Sequence, residues 1–318
     1  MSEECLENGS ISIMALESGI KYASLDEAPD VPLLIELVGI RPNDLAKLSQ
    51  RFSIDLEDLQ DIQDLDERPR LQLEDKYTMI VVRVPVDLRV KDRQYSTTPV
   101  AVFTNGRDII IVQNDPIPLR KPKMRQKVYL STTAADIIYK WWEIVIHSYE
   151  TTLDIVEATI NETEDVIMRE IYPSQLEWFF QLSRDAIFIE AALKANMKVL
   201  LRLERNHILG RMILDVDRLE ELEVDLQQQV ELSAIYRELI ENAMNSYDSM
   251  VSHNLNKVIK TLTSISLLVS VPTLIASIYG MNVDLPFDEH ALAFVIIMII
   301  SFTISLSLLI LLKQKNLV

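Results

Sequence analysis

Pro272-Thr273-Leu274-Ile275-Ala276-Ser277-Ile278-Tyr279-Gly280-Met281-Asn282 closes one apolar segment, and a second apolar segment opens a few residues later at Ala291. The chain ahead of this stretch is polar. Behind it come a short loop, one more apolar segment and a lysine-bearing tail. Val258 to Tyr279 and Ala291 to Leu312 each have the ~20 residues that a helix needs to cross a bilayer, and the second carries no charge. Lys257 precedes the first span, Lys260 lies at its edge, and Lys313 and Lys315 follow the second, whereas the loop between them holds Asp284, Asp288 and Glu289 and no Lys or Arg. The excess of positive charge at cytoplasmic ends then predicts a multi-pass protein of the cell membrane with both termini in the cytoplasm. The acidic opening from Met1 to Ser10 lacks a basic-then-apolar signal pattern and agrees with that orientation.

The first span is the unusual one. Thr263, Ser266, Ser270, Thr273 and Ser277 recur at spacings of three and four and so share one helix face. Asn256 and Ile259 extend that face toward the N-terminal end. Two readings stand side by side. Small polar residues form seams between packed membrane helices, and the same stripe, repeated around an oligomer, would line a water-filled path. Gly280 frees the backbone to leave the helix, and Asn282 supplies a neutral carbonyl oxygen at the mouth.

Working outward, 318 residues exceed one typical domain. A slightly positive mean hydropathy coexists with a quarter of charged residues, so charge and grease are segregated along the chain. The net charge of −17 lies almost wholly in the first 250 residues. It argues against a nucleic-acid partner, which needs basic patches, and is compatible with metal cations. The lone Cys5 excludes an intramolecular disulfide framework or a thiolate metal site.

Residues 1–130 read as a mixed α/β domain. Ile11 to Leu16 is a strand, Asn43 to Phe52 a helix opened by Pro42, and Tyr77 to Val84 a β-branched strand. Val100 to Phe103 and Asp108 to Val112 flank Asn105-Gly106, whose two residues tolerate the positive φ of a hairpin turn. Pro116, Pro118 and Pro122 mark a linker. Residues 131–257 read as a helical stalk: Thr132 to about Ile171, a break at Pro173, 174 to about 205, a turn at Gly210, and a third helix from near Met212. With no breaker before Pro272, a helix from 212 to 279 would run roughly 100 Å, longer than any globular core requires.

The run Ser252-His253-Asn254-Leu255-Asn256-Lys257-Val258-Ile259-Lys260-Thr261-Leu262-Thr263, continuing through Pro272 to Asn282, resembles the pore helix and signature loop of the CorA family of divalent-cation channels. Glu67-Arg68-Pro69-Arg70 and the closing Lys313-Gln314-Lys315-Asn316-Leu317 are similar to further family segments. The resemblance implies a funnel-shaped homopentamer: an α/β cytoplasmic domain (1–130), a stalk (131–257), a first transmembrane pore helix (258–279), an external signature loop (280–290), a second transmembrane helix (291–312) and a basic tail (313–318). It implies Gly280, Met281 and Asn282 as the selectivity filter. Pore-lining positions would be Asn256, Ile259, Leu262, Thr263, Ser266, Ser270, Thr273 and Ser277, nearly the stripe read from spacing.

The implied function is uptake of Mg²⁺, with Co²⁺ or Ni²⁺ as further cargo, down the electrochemical gradient. Regulatory Mg²⁺ between subunits would close the channel, with Asp61, Asp64, Glu221 and Asp225 as candidate ligands. Asn245 and Ser270 depart from the family pattern, an acidic stalk residue and a large apolar pore residue respectively. A Zn²⁺ transporter of the same fold is the alternative within the class; a non-conducting, membrane-anchored helical scaffold or sensor is the alternative outside it. An enzyme is not expected, because His147, His207, His253 and His290 are scattered without ligand spacing and no nucleophile–base pairing is visible. No organic cofactor is expected, and no Gly-x-x-x-x-Gly-Lys phosphate loop is present.

Overall fold

The computed structural model describes residues 10–39, 41–86, 96–114, 133–167, 173–281, 283 and 292–314. The chain divides into two units, Met1–Asn242 and Ala243–Val318.

The first unit is built on a seven-stranded sheet ordered β2-β1-β3-β7-β6-β5-β4. Its strands are β1 (Ser10–Ala15), β2 (Lys21–Tyr22), β3 (Leu33–Val38), β4 (Arg70–Leu73), β5 (Thr78–Pro85), β6 (Thr97–Thr104) and β7 (Ile109–Gln113). Neighbours pair antiparallel except β3 and β7, which run parallel with Leu34 opposite Ile109. Alternate residues enter two separate cores. Ile80, Val82, Val102 and Ile111 face one core and Met79, Val81, Phe103 and Ile110 the other. Because both faces are covered, the central strands read as continuous apolar runs.

One face is covered by α1 (Pro42–Phe52) and the one-turn α2 (Leu56–Gln60), through Leu45, Leu48 and Leu59. Pro42 sits in the first turn of α1, where a missing N–H is harmless. The other face is covered by α3 (Ala134–Ile167), α4 (Pro173–Arg205) and the start of α5 (Val216–Tyr279). Trp141 and Trp142 anchor this larger core edge to face, with ring centroids 5.6 Å apart. Tyr149, wholly buried in the same core, has its hydroxyl pushed to a higher pKa by that burial.

The Asn105-Gly106 hairpin is present as expected. Asn105 Oδ1 accepts the N–H groups of Arg107 and Asp108, and Gly106 has φ of +84°. Asp108 then receives the Leu33 N–H at 2.9 Å, tying the turn to the start of β3. The linker of Pro116, Pro118 and Pro122 lies outside the described residues.

The third helix does not start near Met212. Met212–Ile213 forms strand β9, paired with β8 (Ile208–Leu209) across the Gly210 turn. Helix α5 starts at Val216 because Asp215 caps it, accepting the Asp217 N–H at 3.1 Å. Arg218 holds this start onto α3 by an ion pair with Asp136 at 2.8 Å and by stacking on the Tyr139 ring at 3.8 Å. That hydrogen bond, helped by Thr133, keeps the Asp136 carboxyl below its ordinary pKa.

In the second unit, α5 continues unbroken through Pro272 to Tyr279, and α6 spans Ala293–Gln314. Each of these two helices is long and apolar enough to cross a membrane.

Candidate functional site: the polar face of the first span

The site is a helix face, and its geometry follows from the period of the α-helix. Asn256, Ile259, Leu262, Thr263, Ser266, Ser270, Thr273 and Ser277 are all exposed. Ile259 and Leu262 leave 58% and 64% of their surface open. The covered residues of the same helix segment are different ones. Ser264 is buried, and Leu267, Val271, Pro272, Ile275 and Tyr279 are half-buried. On α6 the matching face carries buried Ser301 and Ser305, with Ile297 and Leu308 half-buried. At ~100° per residue the covered face lies roughly a third of a turn from the hydroxyl stripe. The residues covered within one chain therefore lie on a different face from the stripe, which stays exposed.

The stripe hydroxyls are not all equivalent. Ser270 donates to the Ser266 carbonyl at 2.7 Å and Thr273 donates to the Val269 carbonyl at 2.8 Å. A hydroxyl that has given its proton to its own helix offers the outside only lone pairs. Such oxygens can accept hydrogen bonds from the water shell of a cation.

At the end of the stripe the helix stops by bonding back on itself. Gly280 N–H donates to the Ala276 and Ser277 carbonyls at 3.0 and 3.3 Å, and Met281 N–H to Ile278 at 3.2 Å. Met281 is exposed. Asn282, the expected filter residue, and the acidic loop residues Asp284, Asp288 and Glu289 lie outside the described residues.

The candidate regulatory carboxylates are not brought together. Asp61 Oδ2 is 2.8 Å from Arg70 Nη2, and Arg70 also pairs with Glu67. Asp64 turns back to accept the Asp66 N–H at 2.9 Å. Glu221 and Asp225 are exposed, one turn apart on α5. Among the described residues, no group of three or more His, Cys, Asp or Glu is placed to hold a metal ion within one chain. Asp61 is thus engaged with a cation of its own, whereas Glu221 and Asp225 remain open to ligands from outside the chain.

Sequence reasoning missed Ser264, Ser301 and Ser305, the buried small polar residues of the two spans. The only signal was the four-residue spacing of Ser301 and Ser305 within an otherwise apolar run.

Comparison with known proteins agrees with this architecture. A family described as CorA-like Mg²⁺ transporter protein matches residues 35–314. A cobalt/magnesium transport protein CorA from Methanocaldococcus jannaschii is 25% identical over 295 residues, covering 90% of this chain and 92% of that one. The Thermotoga maritima protein of the same name is 22% identical over 273 residues, covering 80% and 74%. The complete structure of the Methanocaldococcus jannaschii CorA magnesium transporter superposes with a TM-score of 0.78 at 21% identity, covering 94% of this chain and 96% of that one.

Proposed function

We propose, for a chain that belongs to the CorA-like Mg²⁺ transporter family, that several copies assemble around the hydroxyl stripe of α5 to form a cation-conducting pore, five copies being the expected number. The observation that carries this reading is the open stripe. The covered residues of the same segment, Ser264, Leu267, Val271 and Ile275, lie on a different face of α5, so the chain itself does not use the stripe. The stripe is left for a neighbouring copy or for water.

The mechanism follows from the hydration chemistry of the cargo. Mg²⁺ prefers six oxygens in an octahedron and loses water reluctantly. A ring of Asn282 carbonyls next to Gly280 and Met281 would hydrogen-bond the shell of a hydrated ion instead of replacing it. Ser270 and Thr273 would continue the wall with acceptor oxygens, which suits a cation whose outward-pointing groups are water hydrogens. Neutral oxygens bind weakly enough for release, as conduction requires. Toward the other end, Ile259 and Leu262 form a narrow apolar section that closes by dewetting, and Asn256 restores polarity beyond it. Co²⁺ and Ni²⁺ carry similar hydration shells and would also pass.

The lysines near the outer ends of both spans support a cytoplasmic location for the two termini. An inside-negative potential would then drive entry by ~2.3 kcal/mol per charge per 100 mV, doubled for a dication. For feedback, Glu221 and Asp225 are the better ligands for cytoplasmic Mg²⁺ shared with an adjacent copy, assisted by Asp64. Asp61 serves through its ion pair with Arg70.

The decisive measurement is Mg²⁺ influx into proteoliposomes under an inside-negative potential, comparing the native chain with Asn282→Ala. Influx that the substitution abolishes supports the pore and its filter together. Influx that survives it removes Asn282 from the filter. A folded oligomer that passes no Mg²⁺, Co²⁺, Ni²⁺ or Zn²⁺ replaces the pore with a membrane-anchored scaffold.

A further inference from the structure

Hydroxyls inside membrane helices normally satisfy themselves. Thr261, Ser264, Ser270 and Thr273 on α5 and Thr303 on α6 each donate to the carbonyl four residues back. Ser301 and Ser305 do not. Each is 3% exposed and its Oγ makes no hydrogen bond. Two adjacent turns of α6 thus carry buried donors without a partner, in a segment where an unpaired polar group finds no water.

Helix α5 has a carbonyl that lacks its usual helical donor. Pro272 lies within α5 and has no N–H to give to the Leu268 carbonyl one turn earlier. Pro272 is on the covered face of α5, beside Val271. The depths also agree. Pro272 lies seven residues from the loop end of α5, and Ser301 lies eight residues from the loop end of α6. At 1.5 Å per residue both are ~10–12 Å from the loop-side ends of their own helices.

We propose that Ser301, with Ser305 one turn beyond it, is a positioning residue for conduction: its hydroxyl donates to the Leu268 carbonyl when α5 bends at Pro272, and the bond is absent in the straight helix. The second span then acts as a catch for the first. A proline bend opens the carbonyl side of a helix, so bending presents Leu268 to its donor. The straight form leaves both partners idle, and one hydrogen bond between them shifts the balance toward the bend. The bend divides the stripe between Ser270 and Thr273, so it changes the width of the proposed path. This inference rests on the pore reading for its effect on transport but not for the bond itself.

The test is a cycle of four full-length proteins: native, S301A/S305A, P272A, and the triple variant. Alanine at 272 returns an N–H to the Leu268 carbonyl and leaves the serines without an acceptor. In proteoliposomes, S301A/S305A is expected to change Mg²⁺ influx by about threefold to tenfold in the native background, the worth of one hydrogen bond, and by less than about twofold beside P272A. Equal effects in both backgrounds, or none in the native one, would overturn the proposal.

Amide exchange of residues 273–276 in nanodiscs reads the bend without conduction. It should slow in S301A/S305A and be unchanged by the same substitutions beside P272A; insensitivity in the native background counts against the bond. A disulfide within one chain between V271C and S301C, in a C5S background, tests the juxtaposition itself, and its failure to form sinks the proposal. If no variant carries Mg²⁺, the pore reading fails, and the exchange and cross-linking results alone decide whether the bond exists.

Discussion

Asn196 completes the main-chain bonding of Arg83. Strand β4 pairs with β5 only as far as Val81, so the backbone of Arg83 has no strand on that side. On its other side Arg83 is opposite Pro99. Asn196, from α4 and wholly buried, accepts the Arg83 N–H at 2.9 Å and donates to its carbonyl at 2.7 Å. Tyr149 donates to the same carbonyl at 2.8 Å. An amide side chain thus takes the place of a missing strand residue. The Arg83 guanidinium meanwhile donates to the carbonyls of Leu65, Glu67 and Thr97, holding the loop before β4 against the start of β6.

Replacing Asn196 with alanine should leave the Arg83 N–H buried without an acceptor, while Tyr149 continues to serve the carbonyl. The expected loss is about 1–3 kcal/mol. Thermal unfolding of the purified protein checks it, with Asn196→Asp as a comparison that keeps the acceptor and loses the donor. A melting temperature equal to the native one for Asn196→Ala would contradict the role given to this residue.

Gly106 and Gly210 should differ in their tolerance of a methyl group. A Cβ on Gly106 would lie 2.8 Å from the Arg211 nitrogen and 2.9 Å from the Leu209 oxygen, both rigid backbone atoms. A Cβ on Gly210 would meet the Asn105 oxygen at 3.3 Å. Both residues also have positive φ, which alone disfavours alanine by about 1 kcal/mol. Gly106→Ala is therefore expected to lower the melting temperature more than Gly210→Ala. The reverse order would mean that the two turns do not meet as described.

Acid should loosen α4 from α5 through Glu190. Its carboxylate, 11% exposed, contacts Lys194 at 2.5 Å and Arg237 of α5 at 2.7 Å. Burial raises its pKa, but the two cations outweigh burial, and the net shift is downward from 4.5. A lowered folded-state pKa adds stability above the unfolded value, and that stability disappears as pH falls through the folded one. Glu190→Gln should therefore melt earlier than the native protein at pH 7, with the gap closing below about pH 4. A gap of constant size across that range would rule out an electrostatic origin.

Removing single stripe oxygens should slow transport without disturbing assembly. Thr273→Val and Ser270→Ala each delete an outward acceptor while keeping nearly the same shape. A lost hydrogen bond of about 1 kcal/mol corresponds to roughly fivefold in Mg²⁺ influx. Ile265→Ala, also exposed but off the stripe, is the control that should leave influx near native. Equal slowing by all three would assign the effect to helix packing instead of the wall of a path.

Much of this arrangement was legible because it is written in local chemistry. Pro42 opens α1, Asn105-Gly106 turns a hairpin, Pro173 starts a helix, and two long apolar runs mark the spans. The features that escaped depend on partners distant in sequence. Leu33–Val38 has no clean alternation because both its faces are buried, so β3 was not distinguished from any other apolar run. The β8–β9 hairpin is only two residues per strand and was absorbed into the following helix. Asn196 is an ordinary polar residue within a helix until Arg83 is placed beside it. The hydroxyl stripe could be read from spacing, but its separation from the covered face of α5 could not, because periodicity fixes faces and not neighbours.

The parallel pairing of β3 with β7 has a consequence for synthesis. A strand beginning at Leu33 must wait for a partner beginning at Ile109, and the core above the sheet also needs Leu226. At ~5–20 residues per second, β3 spends about 4–15 s without its neighbour as the chain emerges from the ribosome. Its apolar edge is exposed throughout that interval. The nascent chain therefore carries an unprotected strand before its first membrane span exists, and the vulnerable period in the life of this protein falls during translation, ahead of any encounter with the bilayer.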